Sequence, residues 1–115
     1  MIFERFSVVV VPFPFADRAA VRRRPAVVVS DPRALETAGH TVMAMVTSAS
    51  NPPWPFDVSI DDLQAAGLPQ PSVARMKLFT LDDRLVLRVA GRLADGDAAR
   101  LQRSLDSVMG RADGQ

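Results

Sequence analysis

The 115-residue sequence predicts a mainly β fold, a small and partly open antiparallel barrel with short helices and one C-terminal helix. Three observations indicate this fold. Short runs rich in β-branched residues recur along the chain, turns rich in proline, glycine or aspartate separate them, and the hydrophobic period becomes helical only near the end. At this length the chain is expected to form a single domain, residues 1–115, with a core of its own.

The strands are predicted from composition and from the turn residues between them. Val8 to Val11 is β-branched and predicts the first strand, which the following Pro-Phe-Pro-Phe extends. Proline is excluded from the middle of a sheet, so Pro25 is expected to mark the start of a second strand, Ala26 to Ser30, after a polar loop over 16–24. The other predicted strands are His40 to Ser48, Asp57 to Ile60, Val73 to Leu81 and Leu85 to Ala90.

Glycines mark the ends of the two short predicted helices. Residues 33–38 end at Gly39, and residues 61–66 end at Gly67, as is usual where a helical turn is closed by a left-handed residue. The turn between the last two strands is predicted at Asp82-Asp83.

The C-terminal segment has the period of a helix. Its apolar residues recur at spacings of three and four and form one stripe: Ala98, Leu101, Leu105 and Val108. Asp95 is expected to cap the start of this helix and Gly110 its end. The stripe is larger than a small barrel needs for its own core, which favours pairing with a second copy of the chain.

Composition excludes several kinds of chemistry. The chain has no cysteine, which rules out disulfides, thiolate metal sites and cysteine nucleophiles, and one histidine, His40, cannot form a multi-histidine metal site within one chain. Neither a metal nor another cofactor is therefore expected. The longest apolar run, Val8 to Ala16, contains two prolines and is shorter than the ~20 residues of a membrane helix, so a cytoplasmic protein without a membrane partner is predicted.

Charge is nearly balanced, at a formal net value of +1, so any contact with nucleic acid must rest on a local patch. The strongest candidate is Arg22-Arg23-Arg24, which Pro25 and the apolar run Ala26 to Val29 follow directly. A guanidinium binds phosphate through a planar fork, and Pro25 stiffens the backbone beside Arg24. The motif thus predicts a phosphate or transition-state contact, with a solvated basic turn as the alternative.

Two further places carry candidate binding residues. Arg75 and Lys77 leave the same face of a predicted strand, which indicates either a cationic stripe for phosphates or a salt-bridged surface. Trp54 is the only tryptophan and lies in a loop stiffened by three prolines, so its ring is expected to stack on a base or to anchor the loop.

Two aspartate pairs and the histidine have ordinary explanations. Asp61-Asp62 and Asp82-Asp83 occupy positions that suit helix caps and turns, and adjacent side chains do not converge on one ion. Histidine is the residue type most often used for proton transfer, but His40 lies at the opposite end of its strand from Thr47.

The motifs occur in an order that resembles the MazF/PemK family of bacterial toxins, over nearly the whole chain. The motifs are Pro-Phe-Pro-Phe after a strand, Arg-Arg-Pro-Ala-Val-Val-Val-Ser, Ala-Met-Val-Thr-Ser, Trp-Pro-Phe-Asp-Val and Ser-Val-Ala-Arg-Met-Lys-Leu-Phe-Thr-Leu-Asp. The resemblance implies an SH3-like barrel, a homodimer, and a metal-independent, sequence-selective endoribonuclease. It also implies a cognate antitoxin that blocks the active site.

The resemblance also implies roles for particular residues. Arg24 and Thr47 match the arginine and threonine that carry the chemistry in the family. Contacts with RNA are expected from Arg22, Arg23, Ser48, Trp54, Arg75 and Lys77. The chain departs from better-known members at Phe6-Ser7, and again at Ser48-Ala49-Ser50, which bears on the bases that are read.

These residues suit cleavage in which the ribose 2′-hydroxyl attacks the adjacent phosphorus and gives a cyclic phosphate. Arg24 is suited to stabilising the developing charge, and Thr47 to binding a phosphate oxygen or positioning the 2′-hydroxyl. No general base is assigned. Two alternatives remain: a non-catalytic toxin of the same barrel that inhibits a protein such as gyrase, or an inactive module that binds RNA or DNA. Such a non-catalytic toxin acts through its final residues, and residues 111–115 of this chain offer no apolar anchor for that contact.

Overall fold

The computed structural model describes residues 2–13 and 22–110 and shows one antiparallel sheet curled into a half-barrel. The strand order is β4-β5-β3-β2-β1-β6. The strands are β1 (Ser7–Phe13), β2 (Arg22–Val28), β3 (His40–Ser48), β4 (Val58–Ser59), β5 (Ser72–Asp82) and β6 (Arg88–Arg92). The helices are α1 (Leu63–Ala66) and α2 (Asp95–Met109), and Glu36–Ala38 and Asp83–Leu85 form 3-10 turns. The predicted mainly β class with a C-terminal helix is confirmed.

Both faces of the sheet are apolar in the middle, because alternate side chains of each strand feed separate clusters. On one face, Val27 and Val46 pack with Leu101 and Leu105 of α2. On the other face, Val9, Ala26 and Met43 belong to a smaller cluster. Burying an aliphatic side chain of leucine size contributes about 1.5–3 kcal/mol, so α2 is held to the sheet chiefly by its two leucines.

β2 begins at Arg22, four residues before the predicted start at Ala26, so the prediction of a loop over 16–24 is wrong for its last three residues. The rest of that predicted loop, 16–21, lies outside the described residues. Pro25 is the fourth residue of β2 and does not start it. Its position is tolerated because pairing of β2 with β3 ends at Ala26 and Met45, and beyond that point β2 pairs with β1 alone.

The backbone nitrogen of Pro25 points to the side of β2 on which β3 no longer pairs. Val10, the β1 residue opposite Pro25, directs its carbonyl oxygen to the N–H of Leu87, away from β2. The two residues therefore form a pair without ladder hydrogen bonds, and the backbone nitrogen of Pro25 points away from β1. No ladder hydrogen bond is lost at this proline.

α2 differs from the prediction at its start. Ala94 is the residue before the helix, and Asp95 is its first residue and not its cap. The buried carboxylate of Asp97 instead accepts the backbone N–H groups of Asp61 and Asp62 and the side chain of Arg100. Burial alone raises the pKa of Asp97, but these hydrogen bonds and the charge of Arg100 outweigh it, so the pKa lies below its ordinary value.

The predicted surplus of apolar residues on α2 is only partly present. Leu101 and Leu105 are buried by the sheet of the same chain, whereas Val108 is 41% exposed. β6 also starts later than predicted, at Arg88, because residues 83–85 form a 3-10 turn in which the Asp82 side chain accepts the Arg84 N–H. Among the described residues, no helix is both long and apolar enough to span a bilayer.

Candidate active site

A cleft of about 210 Å³ opens at one end of the sheet, on the face of the smaller apolar cluster. Along β1, β2, β3 and β5 the side chains of this face are apolar in the middle and become mostly polar or charged at this end. The cleft is lined by Phe13, Arg24, Met45, Val46, Thr47, Asn51, Trp54, Arg75 and Lys77. The structure thus brings together five of the eight predicted site residues.

Strand register explains why Arg24 and Thr47 share the cleft. Pairing of β2 with β3 ends at Ala26 and Met45, and continuing this register by two residues places Arg24 opposite Thr47. The strands no longer pair there, so the two side chains flank an opening instead of a closed ladder.

A bulge in β5 places Arg75 and Lys77 beside the same opening. Ala44 of β3 pairs with Leu78, but Val46 pairs with Ala74, so the three residues 75–77 lie opposite Met45 alone. Bulges of this kind bend a strand and redirect its side chains. Arg75 and Lys77 consequently reach the cleft from a strand that is not adjacent to β2.

The cleft contains cations that are not neutralised by the described part of the chain. Arg24 is half-buried, and no carboxylate within residues 2–13 and 22–110 forms a salt bridge with it or with Lys77. The Lys77 ammonium lies 5.6 Å from the ring centroid of Phe13. A partly desolvated guanidinium without a counter-ion favours binding of an anion.

Arg75 has a different environment, because its guanidinium is engaged within the protein. Its Nε and Nη2 donate to the Asp57 carboxylate at 3.2 and 3.0 Å, and Nη2 also donates to the Pro52 carbonyl at 2.9 Å. The two side chains are only 11% and 12% exposed. The sequence left two interpretations open for Arg75, a cationic stripe for phosphates or a salt-bridged surface, and the structure shows the salt bridge.

The ion pair shifts the pKa of both partners. Burial raises the pKa of Asp57, but hydrogen bonds from Arg75 and the Trp54 backbone, with the charge of Arg75, outweigh it and hold that pKa below its ordinary value. The hydrogen bond to Asp57 raises the pKa of Arg75. Both groups therefore stay charged near neutral pH.

Trp54 is both anchored and accessible. Its backbone N–H donates to Asp57 Oδ2 at 2.9 Å, and the Arg75 guanidinium lies 5.0 Å from its ring centroid. Trp54 nevertheless remains 44% exposed. The ring is thus held at the cleft by the Arg75–Asp57 pair while much of its surface remains available to solvent.

Asn51 is a cleft residue that the sequence analysis missed. Its Nδ2 donates to Thr47 Oγ1 at 2.6 Å, and its backbone N–H donates to the Ser48 carbonyl at 3.1 Å. The signal in the sequence was an asparagine before proline, four residues after Thr47, which is typical of a turn that folds back on its strand. Ser48 does not line the cleft, and its hydroxyl bonds that of Ser50 at 2.8 Å.

Arg22 and Arg23 do not line the cleft. Strand alternation puts Arg22 on the same face as Arg24 and Arg23 on the opposite face. There Arg23 lines a second cavity of about 240 Å³, which also borders Arg24 and contains Arg88 of β6.

The remaining polar candidates lie away from the cleft. His40 is at the far end of β3, opposite Asp82, with its Nδ1 2.7 Å from the Ala38 carbonyl. Asp62 accepts the Ala65 N–H at the start of α1, and Asp82 accepts hydrogen bonds from Arg84. Across the described residues, no three His, Asp or Glu side chains cluster as a metal site would require.

Comparison with known structures first identifies the fold as that of MazF toxins. A MazE–MazF complex from Deinococcus radiodurans matches with a TM-score of 0.77 and 21% identity over 97% of this chain and 100% of the other. MazF from the same organism matches with a TM-score of 0.73 and 23% identity, over 96% and 99% of the chains. A mycobacterial endoribonuclease in complex with its cognate antitoxin matches with a TM-score of 0.70 and 14% identity, over 94% and 93%.

The sequence then identifies the family. The family model for the PemK-like, MazF-like toxin of type II toxin–antitoxin systems matches residues 4–109, and the chain belongs to this family. The search of curated proteins gives no significant match.

Proposed function

We propose that the protein is the toxin of a type II toxin–antitoxin pair and acts as a metal-independent, sequence-selective endoribonuclease on single-stranded RNA. The observation that carries this proposal is that the Arg24 guanidinium and the Thr47 hydroxyl line one cleft, at which Arg24 has no carboxylate partner among the described residues. The 2′-hydroxyl attacks the adjacent phosphorus, which leaves a 2′,3′-cyclic phosphate and a free 5′-hydroxyl.

The residues of the cleft suit a transition state that carries additional negative charge on phosphate oxygens. Arg24 offers a forked donor with a fixed positive charge, and Lys77 adds a second positive charge in the same cleft. Thr47 donates a hydrogen bond to a non-bridging oxygen, and Arg24 donates one to the leaving 5′-oxygen. The proton that the 2′-hydroxyl releases to solvent is balanced by the proton that the 5′-oxygen takes up from solvent, so Arg24 keeps its charge. Because the nucleophile belongs to the substrate, the protein needs no nucleophile of its own, and DNA lacks the reacting group.

Base recognition is assigned to the loop after β3. Trp54 provides a surface for stacking, a contact that contributes about 1–3 kcal/mol per base in other proteins. Arg75 contributes by holding this ring and the proline loop in place, and Ser48 lies at the start of the same loop. Arg22 is proposed to bind a phosphate that neighbours the scissile one, whereas Arg23, on the opposite face, can contact only RNA that extends to the second cavity.

A cognate antitoxin and a second copy of the chain are the proposed protein partners. The structurally similar mycobacterial endoribonuclease was solved with its cognate antitoxin, and an antitoxin that covers the cleft here must offer acidic groups to its cations. Pairing of two copies is supported by exposed apolar side chains at the edge of the sheet: Leu85, Leu87 and Val89. Sedimentation tests the dimer directly.

The decisive experiment uses a long defined RNA in excess chelator, with mapping of the cut positions and of the chemistry of both ends. Cyclic phosphate and 5′-hydroxyl ends are expected, and a single 2′-deoxy substitution at a mapped site should abolish the cut there. Cleavage at the deoxy site, or dependence on added metal, contradicts the mechanism. Binding without any cleavage supports the inactive module, and inhibition of gyrase without RNA cleavage supports the non-catalytic toxin. Residues 111–115, in which the sequence offers no apolar anchor for such a target, lie outside the described residues.

A further inference from the structure

We propose that Asn51 is a positioning residue that sets the direction of hydrogen bonding at Thr47, an inference that rests on the proposed ribonuclease function. The Asn51 amide Nδ2 donates to Thr47 Oγ1 at 2.6 Å. A hydroxyl group has one proton, and an oxygen that accepts from Nδ2 must direct that proton elsewhere. The Thr47 hydroxyl is thereby kept as a donor for a phosphate oxygen.

The surroundings of Thr47 leave the substrate as the natural acceptor. The charged side chains of the cleft, Arg24, Arg75 and Lys77, can only donate hydrogen bonds and cannot accept one from Thr47. Arg75 is already engaged by Asp57 and Pro52, whereas the positive charges of Arg24 and Lys77 have no carboxylate partner among the described residues and suit an oxyanion. Donation from Asn51 polarises the Thr47 hydroxyl and strengthens its own donation. The same amide turned by 180° would accept from Thr47, take up its proton and remove one donor from the site.

Hydrogen bonds hold the backbone on both sides of the Asn51 side chain. Its backbone N–H is bonded to Ser48, and the carbonyl of the next residue, Pro52, accepts from Arg75 Nη2 at 2.9 Å. The Arg75–Asp57 pair therefore stabilises the loop that carries Asn51 as well as the position of Trp54.

The test exploits the difference between an amide, which can donate, and a carboxylate, which only accepts. Asn51→Ala should lower kcat about tenfold with little change in KM, because one hydrogen bond to Thr47 is lost. Asn51→Asp should lower kcat more, by about 10²-fold near neutral pH. The ionised carboxylate accepts the hydrogen bond of the Thr47 hydroxyl, which is then no longer available to the transition state. Below the pKa of the new carboxyl group its protonated form donates again, so kcat relative to the parent should recover at acidic pH.

A double variant separates this effect from simple repulsion between a new carboxylate and the RNA. In a Thr47→Ala background, Asn51→Asp should cause no further loss of kcat and no relative recovery at acidic pH. Recovery that persists without the Thr47 hydroxyl overturns the proposal, because charge repulsion then explains it. Gln64→Glu, an exposed amide-to-carboxylate change on α1, is the matched control and should leave kcat unchanged.

The outcomes distinguish failure of this inference from failure of the proposed function. If the parent cuts RNA and Asn51→Ala cuts equally fast, Asn51 does not position Thr47, and the ribonuclease function stands. If the parent does not cut RNA under any condition, the proposed function fails, and the inference fails with it. Thermal melting of each variant verifies that the exposed Asn51 has been changed without loss of the fold.

Discussion

Two threonines on the same face of β3 occupy opposite ends of the sheet and have contrasting environments. Thr41 is buried and donates to the buried carboxylate of Asp83 at 2.6 Å. Thr47 is half-exposed, accepts from Asn51 and lines a cleft in which Arg24 and Lys77 lack carboxylate partners among the described residues. At the far end polar groups satisfy each other, whereas at the cleft end donors remain available. The difference supports the proposal that the cleft end of the sheet binds a ligand.

The largest contrast is expected between arginines at the two ends. Arg24→Ala should reduce the rate of RNA cleavage by about 10²–10³, the loss typical of one transition-state donor. Arg84→Ala, which removes the exposed partner of Asp82 at the far end, should leave cleavage unchanged. Rates measured with saturating RNA, together with melting curves for both variants, make the comparison. Equal rates for Arg24→Ala and the parent would exclude the proposed mechanism.

The threonines themselves should show opposite effects on activity and stability. Thr47→Val should lower the cleavage rate by about 10²-fold and change the free energy of unfolding by less than about 0.5 kcal/mol, the usual range for exposed positions. Thr41→Val should cost about 1–3 kcal/mol of stability, because Asp83 loses a buried hydrogen bond, and should leave kcat unchanged. Denaturant unfolding and cleavage assays on both variants test this. A loss of activity in Thr41→Val, or a cleavage rate unchanged in Thr47→Val, would contradict it.

The Arg75–Asp57 pair makes the cleft end sensitive to acid. The folded pKa of Asp57 lies below its ordinary value, so its stabilisation is fully present above the ordinary pKa of about 3.9 and is lost as the pH falls through the folded value. Asp57→Asn should cost about 1–3 kcal/mol near neutral pH, and its difference from the parent should shrink at low pH. A difference that stays constant down to pH 2 contradicts this assignment.

The smallest expected contrast concerns the two exposed arginines of β2. If a phosphate next to the scissile one binds Arg22, then Arg22→Ala should reduce the slope of log affinity against log salt by about 0.7. Arg23 faces the other side of the sheet, so Arg23→Ala should change the slope little. Titration of a non-cleavable 2′-deoxy substrate at several salt concentrations gives both slopes. Equal reductions of the slope in both variants would show that RNA also reaches the second cavity, which Arg23 and Arg88 line.

The sequence was most informative where local pattern decides the structure. β3 has the predicted bounds, His40–Ser48, because a β-branched, alternating run between a glycine and a serine-rich turn leaves little freedom. Pro25 misled the prediction of β2, since whether a proline occupies an edge position depends on where β3 stops. That endpoint is a tertiary property and has no local signature.

The sequence predicted several residues that line the cleft, but not the contacts that support them. Arg24, Thr47 and Lys77 were expected from their motifs, and they line one cleft. The ion pair of Arg75 with Asp57 joins residues 18 positions apart, and it depends on the conformation of a proline loop. The donation from Asn51 to Thr47 likewise depends on the fold of that loop, which explains why residue type alone did not reveal it.

Pro25 also has a consequence for the shape of the cleft. Residues 27 and 29 of the chain direct their backbone groups towards β3, as the bond from the Val29 N–H to Val42 shows, and residue 25 is the next in this series. Because proline has no N–H, a further pair of this series between residues 25 and 46 would have one hydrogen bond instead of two. The absence of a single hydrogen atom from the backbone thus favours separation of β2 and β3 at the place where the cleft opens between Arg24 and Thr47.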